Sequence, residues 1–220
     1  MGGDELSVED KVTKERIHEI ALREFMEKGY RDTSLRNIVR EAGVTTGSFY
    51  WYYKSKEELF EALVGVHYDH VMKMYMEAVD HFMQYQKEEQ KEHMGEVGGQ
   101  CMQDMLKYMY QHKPEFKILI NGSAGTKYGN FLHELTEREI ESTHQFIENL
   151  KEIGFSDREE SISPEMEHII TSGMFAGLFE MIIHDIPLEK ARQCVQEMHD
   201  FYTAGWAYIM NVPLPEGMKE

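Results

Sequence analysis

Hydrophobic side chains recur at helical spacing through almost the whole chain. Between residues 59 and 82, apolar positions follow one another every three or four residues, which predicts a long helix over residues 56–86. No run rich in valine, isoleucine and threonine alternates with polar residues as a half-buried strand would. The sequence therefore predicts an all-α protein with about nine helices in total.

Prolines and glycines divide the rest of the chain into further predicted helices. Proline suits the first turn of a helix, and glycine often follows the last turn. The charged, glycine-bearing stretch 88–99 predicts a loop or a frayed helix instead. The helices predicted beyond it cover residues 99–112, 114–121, 127–153, 164–185 and 188–211.

Residues 33–56 predict two short helices joined by a tight turn. Thr33 can cap the first helix, because its hydroxyl can accept a free backbone N–H. Gly43 follows the last periodic residue and can take the left-handed conformation that ends a helix. Thr45 can then cap the second helix. The arrangement is typical of a helix-turn-helix whose second helix enters a DNA major groove.

The second short helix has two chemically different sides. Phe49 and Tyr53 lie on one side and are expected to anchor the helix to a core. The other side carries short hydroxyl side chains near the N-terminus, which suit base edges, and aromatic residues that suit phosphates. The side chains left to meet solvent or DNA are Thr46, Ser48, Tyr50, Trp51 and Tyr52.

Residues 14–60 resemble the tetracycline-repressor (TetR) family of bacterial transcription regulators. Residues 17–30 look like the first helix of that family, which ends at a Gly-Tyr or Gly-Phe pair. The family signature follows as Ala42-Gly43-Val44, then Gly47-Ser48-Phe49-Tyr50, then Tyr53-Lys54-Ser55-Lys56-Glu57-Glu58-Leu59. The sequence departs from the family at Val39, Thr46 and Phe49, where Ala, Lys and Leu are frequent. With Thr46 in place of Lys, an expected contact to a phosphate or base is missing, so the resemblance does not indicate the operator sequence.

The resemblance implies two domains with different functions. Residues 1–56 would form a three-helix DNA-binding domain, and residues 57–220 a helical ligand-binding and dimerisation domain. The residues that would bind phosphates are Thr33, Tyr50, Tyr52 and Lys56. Those that would lie near base edges are Arg36, Thr46, Ser48 and Trp51.

The last two predicted helices are broadly apolar. Periodicity alone fits a monomer core at least as well as an interface between subunits. The resemblance favours the interface, because these helices usually form a four-helix bundle with their copies in a homodimer. Two-fold symmetry would also match the half-sites of a palindromic operator. The interface residues expected on this basis are Gly173, Gly177, Met181, Phe201 and Tyr208.

The region after residue 57 is rich in methionine and aromatic residues. Such side chains can line a pocket for an apolar ligand, although at helical spacing they are more often simply core. The resemblance implies a pocket for a small-molecule effector of unknown identity. The candidate ligand contacts are Met72, Met76, Met105, Tyr108, Met109, Phe131, Phe175 and Phe179.

Net charge is −17, which argues against a generic nucleic-acid binder. Residues 28–56 are an exception, because six basic residues against two acidic ones leave this segment at +4 and the remainder at −21. The positive segment coincides with the two-helix motif, and the acidic remainder discourages non-specific binding. The pattern predicts binding that depends on a well-fitted DNA site more than on bulk attraction.

Other classes of site find little support in the sequence. The acidic start, residues 1–7, is not expected to be a secretory signal, and no stretch is expected to span a membrane. Cys101 and Cys194 lack metal spacing and predict reduced thiols in the cytoplasm. His67 and His70 could form half of a metal site, but solvated or hydrogen-bonded histidines are the more ordinary interpretation. We expect no metal, no cofactor and no catalytic group.

These observations converge on a cytoplasmic, homodimeric TetR-like transcriptional regulator. It would be a repressor that occupies double-stranded operator DNA and leaves it when a small molecule binds. The alternative is an all-helical small-molecule-binding or enzymatic domain that has lost DNA binding. Salt-dependent binding to one DNA sequence would separate the two.

Overall fold

The computed structural model describes residues 7–93, 95–155 and 162–214, and in these ranges it contains ten α-helices and no strand. The all-α prediction is confirmed. The helices are α1 (Val8–Asp32), α2 (Leu35–Glu41), α3 (Thr46–Tyr52), α4 (Lys56–Met83), α5 (Lys87–His93), α6 (Glu96–Gln111), α7 (Lys113–Asn121), α8 (Phe131–Glu152), α9 (Pro164–Ile183) and α10 (Leu188–Met210).

Two stretches depart most clearly from the predicted helices. The loop alternative for residues 88–99 was wrong, because α5 fills the first half and α6 begins at Glu96. Acidic residues in the first turn of α5 and basic residues in its last turn complement the helix dipole. Helix α8 begins four residues later than predicted. There the Thr126 hydroxyl donates to the Ser123 carbonyl and accepts from the Tyr128 N–H, which favours a local turn over a helix.

The chain forms two compact units. The first contains the described residues up to Asp69 together with His112–Phe131, and the second contains His70–Gln111 with the described residues from Leu132 onward. The first unit therefore holds the two-helix motif, the first half of α4 and all of α7. The functional boundary at residue 56 stays a prediction.

In the first unit, α1 packs against α2 and α7 around a cluster of aromatic rings. Phe25 and Phe60 are both fully buried, with ring centroids 5.0 Å apart in an edge-to-face arrangement. Helix α1 is interrupted at Gly29, whose φ is +70°. This break lets the Tyr30 N–H donate to the Gly122 carbonyl at 2.7 Å, which joins the end of α1 to the end of α7.

In the second unit, α9 packs against α6 and α10. By length and composition alone this 20-residue helix could cross a membrane, which corrects the expectation that no stretch would. Apolar residues of α9 nevertheless pack inside the unit, where Phe175, Leu178 and Ile182 are buried. A helix that is apolar around its circumference is also typical of a protein core.

The junction of α1 and α7 generates a prediction about stability. A Cβ at Gly122 would lie 3.0 Å from the Ile118 carbonyl oxygen and 3.3 Å from the Phe25 carbonyl oxygen. Gly122→Ala should therefore lower the free energy of unfolding by about 1–3 kcal/mol. The matched control is Gly98→Ala in α6, where an added Cβ meets nothing within 4 Å and helix propensity should give a gain of up to about 1 kcal/mol. Urea unfolding measures both, and equal stability of the two variants would contradict the packing argument.

Candidate nucleic-acid interface and cavity

The turn between α2 and α3 is built as the sequence predicted at two positions. Gly43 follows α2 with φ +63°, a conformation that favours glycine. The Thr45 side chain accepts the Ser48 N–H at 3.0 Å and so caps α3. The predicted cap at Thr33 was wrong by one residue. Ser34 occupies the N-cap position of α2, and no side-chain hydrogen bond caps that helix.

Phe49 and Tyr53 anchor α3 to the first unit, as predicted. Phe49 is completely buried and Tyr53 is 4% exposed. The Tyr53 hydroxyl forms a hydrogen bond with the His18 ring on α1. Burial raises the pKa of Tyr53 to about 12. Burial also lowers the pKa of His18, and the positive charge of nearby Lys14 lowers it further. At neutral pH both partners are therefore uncharged, and the contact costs little to bury.

The opposite side of α3 faces solvent. Tyr50 is 51% exposed and Trp51 is 62% exposed, which is unusual for large aromatic side chains. Thr46 and the neighbouring Arg36 of α2 are also exposed, while Ser48 is half-buried. Five of the eight predicted DNA contacts thus lie on or at the edge of this surface.

Two other predicted contacts are used inside the fold. Thr33 is buried, and its hydroxyl donates to the carbonyl oxygens of Gly29 at 2.7 Å and Glu24 at 3.0 Å. Tyr52 is half-buried, and its hydroxyl donates to Asp10 at 2.9 Å. Hydrogen bonds from Ser7 and then Tyr52 lower the pKa of the Asp10 carboxyl. The Thr33 and Tyr52 side chains therefore stabilise the ends of α1.

Lys56, the last predicted phosphate contact, caps the end of α1. Its Nζ donates to the carbonyl oxygens of Tyr30 at 2.5 Å, Thr33 at 2.8 Å and Arg31 at 3.3 Å. A cation suits the C-terminal end of a helix, where carbonyl groups lack partners. Burial lowers the pKa of Lys56, partly offset by Asp32. A phosphate contact would require these bonds to be exchanged.

The positive charge of the motif is only partly free to meet DNA. Lys28 pairs with Glu24 at 2.7 Å, in addition to the bonds that hold Lys56. Arg36 and Arg40 are exposed and lie four residues apart, on one face of α2. Lys54 is exposed as well. The α2 arginines beside the exposed face of α3 therefore supply much of the local positive charge.

The family model described as "Bacterial regulatory proteins, tetR family" matches residues 17–63. AcrR of Shigella flexneri is 42% identical over 55 residues, which cover 25% of this chain and 26% of AcrR. TtgR of Pseudomonas putida is 41% identical over 56 residues, or 26% of this chain and 27% of TtgR. Residues 17–63 of the chain therefore match the tetR family. The alignments span only about a quarter of the length of each of these relatives.

The fold likeness extends beyond residues 17–63. A TetR-like regulator from Rhodococcus sp. RHA1 has a TM-score of 0.54 at 16% identity, over 91% of this chain and 100% of that one. PfmR of Thermus thermophilus has a TM-score of 0.53 at 20% identity, over 90% and 98%. A γ-butyrolactone receptor, described as ArpA-like, has a TM-score of 0.51 at 17% identity, over 89% and 88%. At these identities the likeness establishes the fold alone.

A cavity of about 160 Å³ lies within the second unit. Side chains from α4, α6, α8, α9 and α10 line it, and most of them are apolar. The Tyr75 hydroxyl donates to Glu139 Oε2 at 2.6 Å within this lining. Burial raises the pKa of the Glu139 carboxyl. The His199 Nε2 lies 2.6 Å from the Gly95 carbonyl oxygen, so this ring nitrogen carries the hydrogen.

Only two of the eight predicted ligand contacts, Met105 and Phe175, line this cavity. The others lie elsewhere, and Phe131 belongs to the first unit. They are Met72, Met76, Tyr108, Met109, Phe131 and Phe179. Sequence reasoning missed Glu139, although a signal existed. Glu139 lies four residues after buried Leu135 and seven before buried Phe146, so it interrupts an apolar stripe of α8.

The predicted dimer residues divide into two groups. Phe201 is 72% exposed and Tyr208 is 81% exposed, so both are free to contact a partner. A Cβ at Gly177 would lie 2.8 Å from Met198 Cε of α10, and one at Gly173 would lie 3.3 Å from the Tyr202 hydroxyl of the same helix. The two glycines therefore permit close packing of α9 on α10 within one chain. Met181 is 4% exposed within the single chain, so, unlike Phe201 and Tyr208, its side chain offers almost no surface to a partner.

Histidines and carboxylates meet in two places among the described residues. His67 pairs with His112 and Glu115, not with His70, and the three ligand atoms lie within 4.8 Å of one another. His133, Glu137 and His168 form a second, more exposed group. Three such ligands are the number that an open zinc site uses. The absence of a metal at both groups stays a prediction.

The capping role of Lys56 is tested by its removal. Lys56→Ala should lower the free energy of unfolding by about 2 kcal/mol, because charge-assisted hydrogen bonds to three carbonyl groups are lost. The control is Lys54→Ala, which removes the same charge from an exposed side chain two residues away. Thermal unfolding followed by circular dichroism measures both. Unchanged stability of Lys56→Ala together with weakened DNA binding would instead establish the phosphate contact.

Proposed function

We propose that this protein is a transcriptional regulator that binds operator DNA through α3. The observation that carries the proposal is the exposure of Tyr50 and Trp51 on a helix whose other side is anchored by Phe49. The anchored side fixes the orientation of the helix, and the exposed side offers aromatic and hydroxyl groups to a major groove. The match of residues 17–63 to the tetR family supports this assignment.

A homodimer is the proposed binding state. On α9, Met166 and Ile169 are exposed, and on α10 Phe201 and Tyr208 are exposed at a spacing of seven residues. Gly205 lies between the latter two, and a Cβ there would meet nothing within 4 Å. Glycine weakens a helix by about 1 kcal/mol relative to alanine, so an exposed one is explained if a partner helix approaches closely. A two-fold dimer would present α3 to two half-sites of a palindromic operator.

A small molecule that enters the cavity is the proposed effector. The cavity is lined in part by Tyr75, Ala78 and Phe82 of α4, a helix that also contributes Lys56 and Phe60 to the first unit. A ligand that favours one position of α4 could therefore change operator affinity. One structural neighbour is by its name a γ-butyrolactone receptor, which fits a small-molecule response in this fold. Release of the operator would make the protein a repressor, acting in the cytoplasm and without catalysis.

DNA recognition is tested by selection from random duplex DNA, followed by titration of variants. Arg36→Ala should weaken binding to the selected sequence by about 1–3 kcal/mol and relax the preference at one base pair. The control is Lys73→Ala, which removes one positive charge from an exposed position on α4 in the second unit. It should change affinity less than about twofold. Selection that returns no preferred sequence at low salt would support a protein that no longer reads DNA.

The dimer is tested by placing a charge on its proposed surface. Phe201→Glu combined with Tyr208→Glu should convert the dimer to a monomer, because two carboxylates would be buried without partners. The control is Val66→Glu, a similar change at an exposed apolar residue of α4 in the first unit. Sedimentation velocity gives the mass of each variant. A double variant that stays dimeric, or a wild-type protein that is monomeric, would refute this interface.

A further inference from the structure

Glu139 is the one acidic side chain among the described residues that line the cavity of the second unit. The same described lining holds no lysine or arginine that could neutralise a carboxylate. The rest of the lining is mostly apolar or aromatic and includes Tyr75, Phe146 and Trp206. The cavity thus combines an acidic group with walls that favour an apolar ligand.

The energetics of Glu139 favour a positively charged ligand. Removal from water disfavours an ionised carboxylate, and burial accordingly raises the pKa of this group. The Tyr75 hydroxyl, 2.6 Å from Oε2, offsets only part of that cost with a neutral hydrogen bond. A ligand cation would compensate the charge directly, and its attraction is strong where the dielectric is low. Aromatic rings add attraction between their faces and the cation.

The volume of the cavity limits the ligand to a small molecule. An engineered apolar cavity of about 150 Å³ in another protein holds benzene. The cavity here, about 160 Å³, would hold one ring with a short substituent, or roughly seven to ten non-hydrogen atoms. A larger ligand would extend beyond this volume.

We propose that the cavity binds a small apolar amine whose protonated nitrogen pairs with the Glu139 carboxylate. The apolar part of the amine packs against Tyr75, Phe146 and Trp206, which line the same space. As an effector site this deepens the proposed function and rests on it, whereas amine binding itself requires no DNA. The amine enters as the cation, and a protonated Glu139 releases one proton to solvent as the pair forms.

This proton release makes binding depend on pH in a defined direction. Below the pKa of Glu139 in the empty cavity, affinity should rise with pH by up to tenfold per pH unit, because the carboxyl proton competes with the amine. Four other titratable groups face the cavity, namely Tyr75 on α4, Cys101 on α6, and His199 and Tyr202 on α10. A protonated His199 would also repel the amine. The part of the pH dependence of amine affinity that is due to Glu139 is therefore the part that Glu139→Gln abolishes.

Trp206 provides a direct signal for binding. The chain has two tryptophans, so Trp51→Phe leaves the cavity residue Trp206 as the sole tryptophan, whose emission is excited selectively over that of the tyrosines. Benzylamine, benzyl alcohol and benzoate serve as probes of nearly equal size that differ in charge. Benzylamine is expected to bind at least tenfold more tightly than benzyl alcohol, and benzoate most weakly. Equal binding of amine and alcohol, or a preference for benzoate, would overturn the proposal.

Variants of α8 then assign the preference to one residue. Glu139→Gln keeps an acceptor for the Tyr75 hydroxyl and should reduce the preference for benzylamine to less than threefold. The control Glu141→Gln changes an exposed residue on the same helix and should retain the full preference. Retained preference in Glu139→Gln would refute the pairing, and the wild-type comparison stands even if that variant is unstable. Gel shifts without amine test the proposed function separately. Operator binding without a preference for benzylamine would refute only the amine site. A preference for benzylamine without operator binding would refute only the role as a transcriptional regulator.

Discussion

The exposed surface of α3 depends on the burial of one ring, that of Phe49. Helix α3 has seven residues, and helices of that length are unstable alone in water. Complete burial of Phe49 and the contact between Tyr53 and His18 supply the missing stability. Because the two anchors lie four residues apart, they also fix the rotation of the helix about its axis. Tyr50 and Trp51 are exposed as a consequence.

Residues of one chemical type divide between structure and surface around this helix. Of its tyrosines, Tyr50 faces solvent, Tyr52 holds the start of α1 and Tyr53 is an anchor. Lys56 is similarly used to cap α1, which leaves exposed arginines of α2 to carry much of the local charge. With an acidic body, whose like charge repels phosphates, such a surface favours a fitted DNA site over non-specific attraction.

Local chemistry made part of this structure predictable from the sequence. The left-handed Gly43, the cap at Thr45 and the anchors Phe49 and Tyr53 each follow from neighbours a few residues away. The role of Lys56 was not predictable, because its partners lie more than twenty residues earlier in the chain. Among the predicted interface residues, Phe201 and Tyr208 are exposed on α10, whereas Met181 is buried on α9. Helical spacing alone does not tell which face of each helix packs inside the chain.

The residues that line the cavity were even less predictable from the sequence. Methionines and aromatic residues occur on nearly every helix of the second unit, and only the packing of five helices selects those that line the space. Met105 and Phe175 line the cavity, whereas Met109 and Phe179, four residues further along α6 and α9, are core. The informative signal was a polar one. A single acidic residue in the apolar stripe of α8 costs stability unless it has a use, and such residues are better guides to a site than apolar ones.

The central claim is that two copies of α3 read DNA as a symmetric pair. The most direct measurement is a hydroxyl-radical footprint of the protein on a duplex that it selects from a random library. The account predicts two protected patches related by two-fold symmetry, with centres about one helical turn or a multiple of it apart, roughly 10 base pairs per turn. A single patch, protection without symmetry, or no protection at low salt would contradict it.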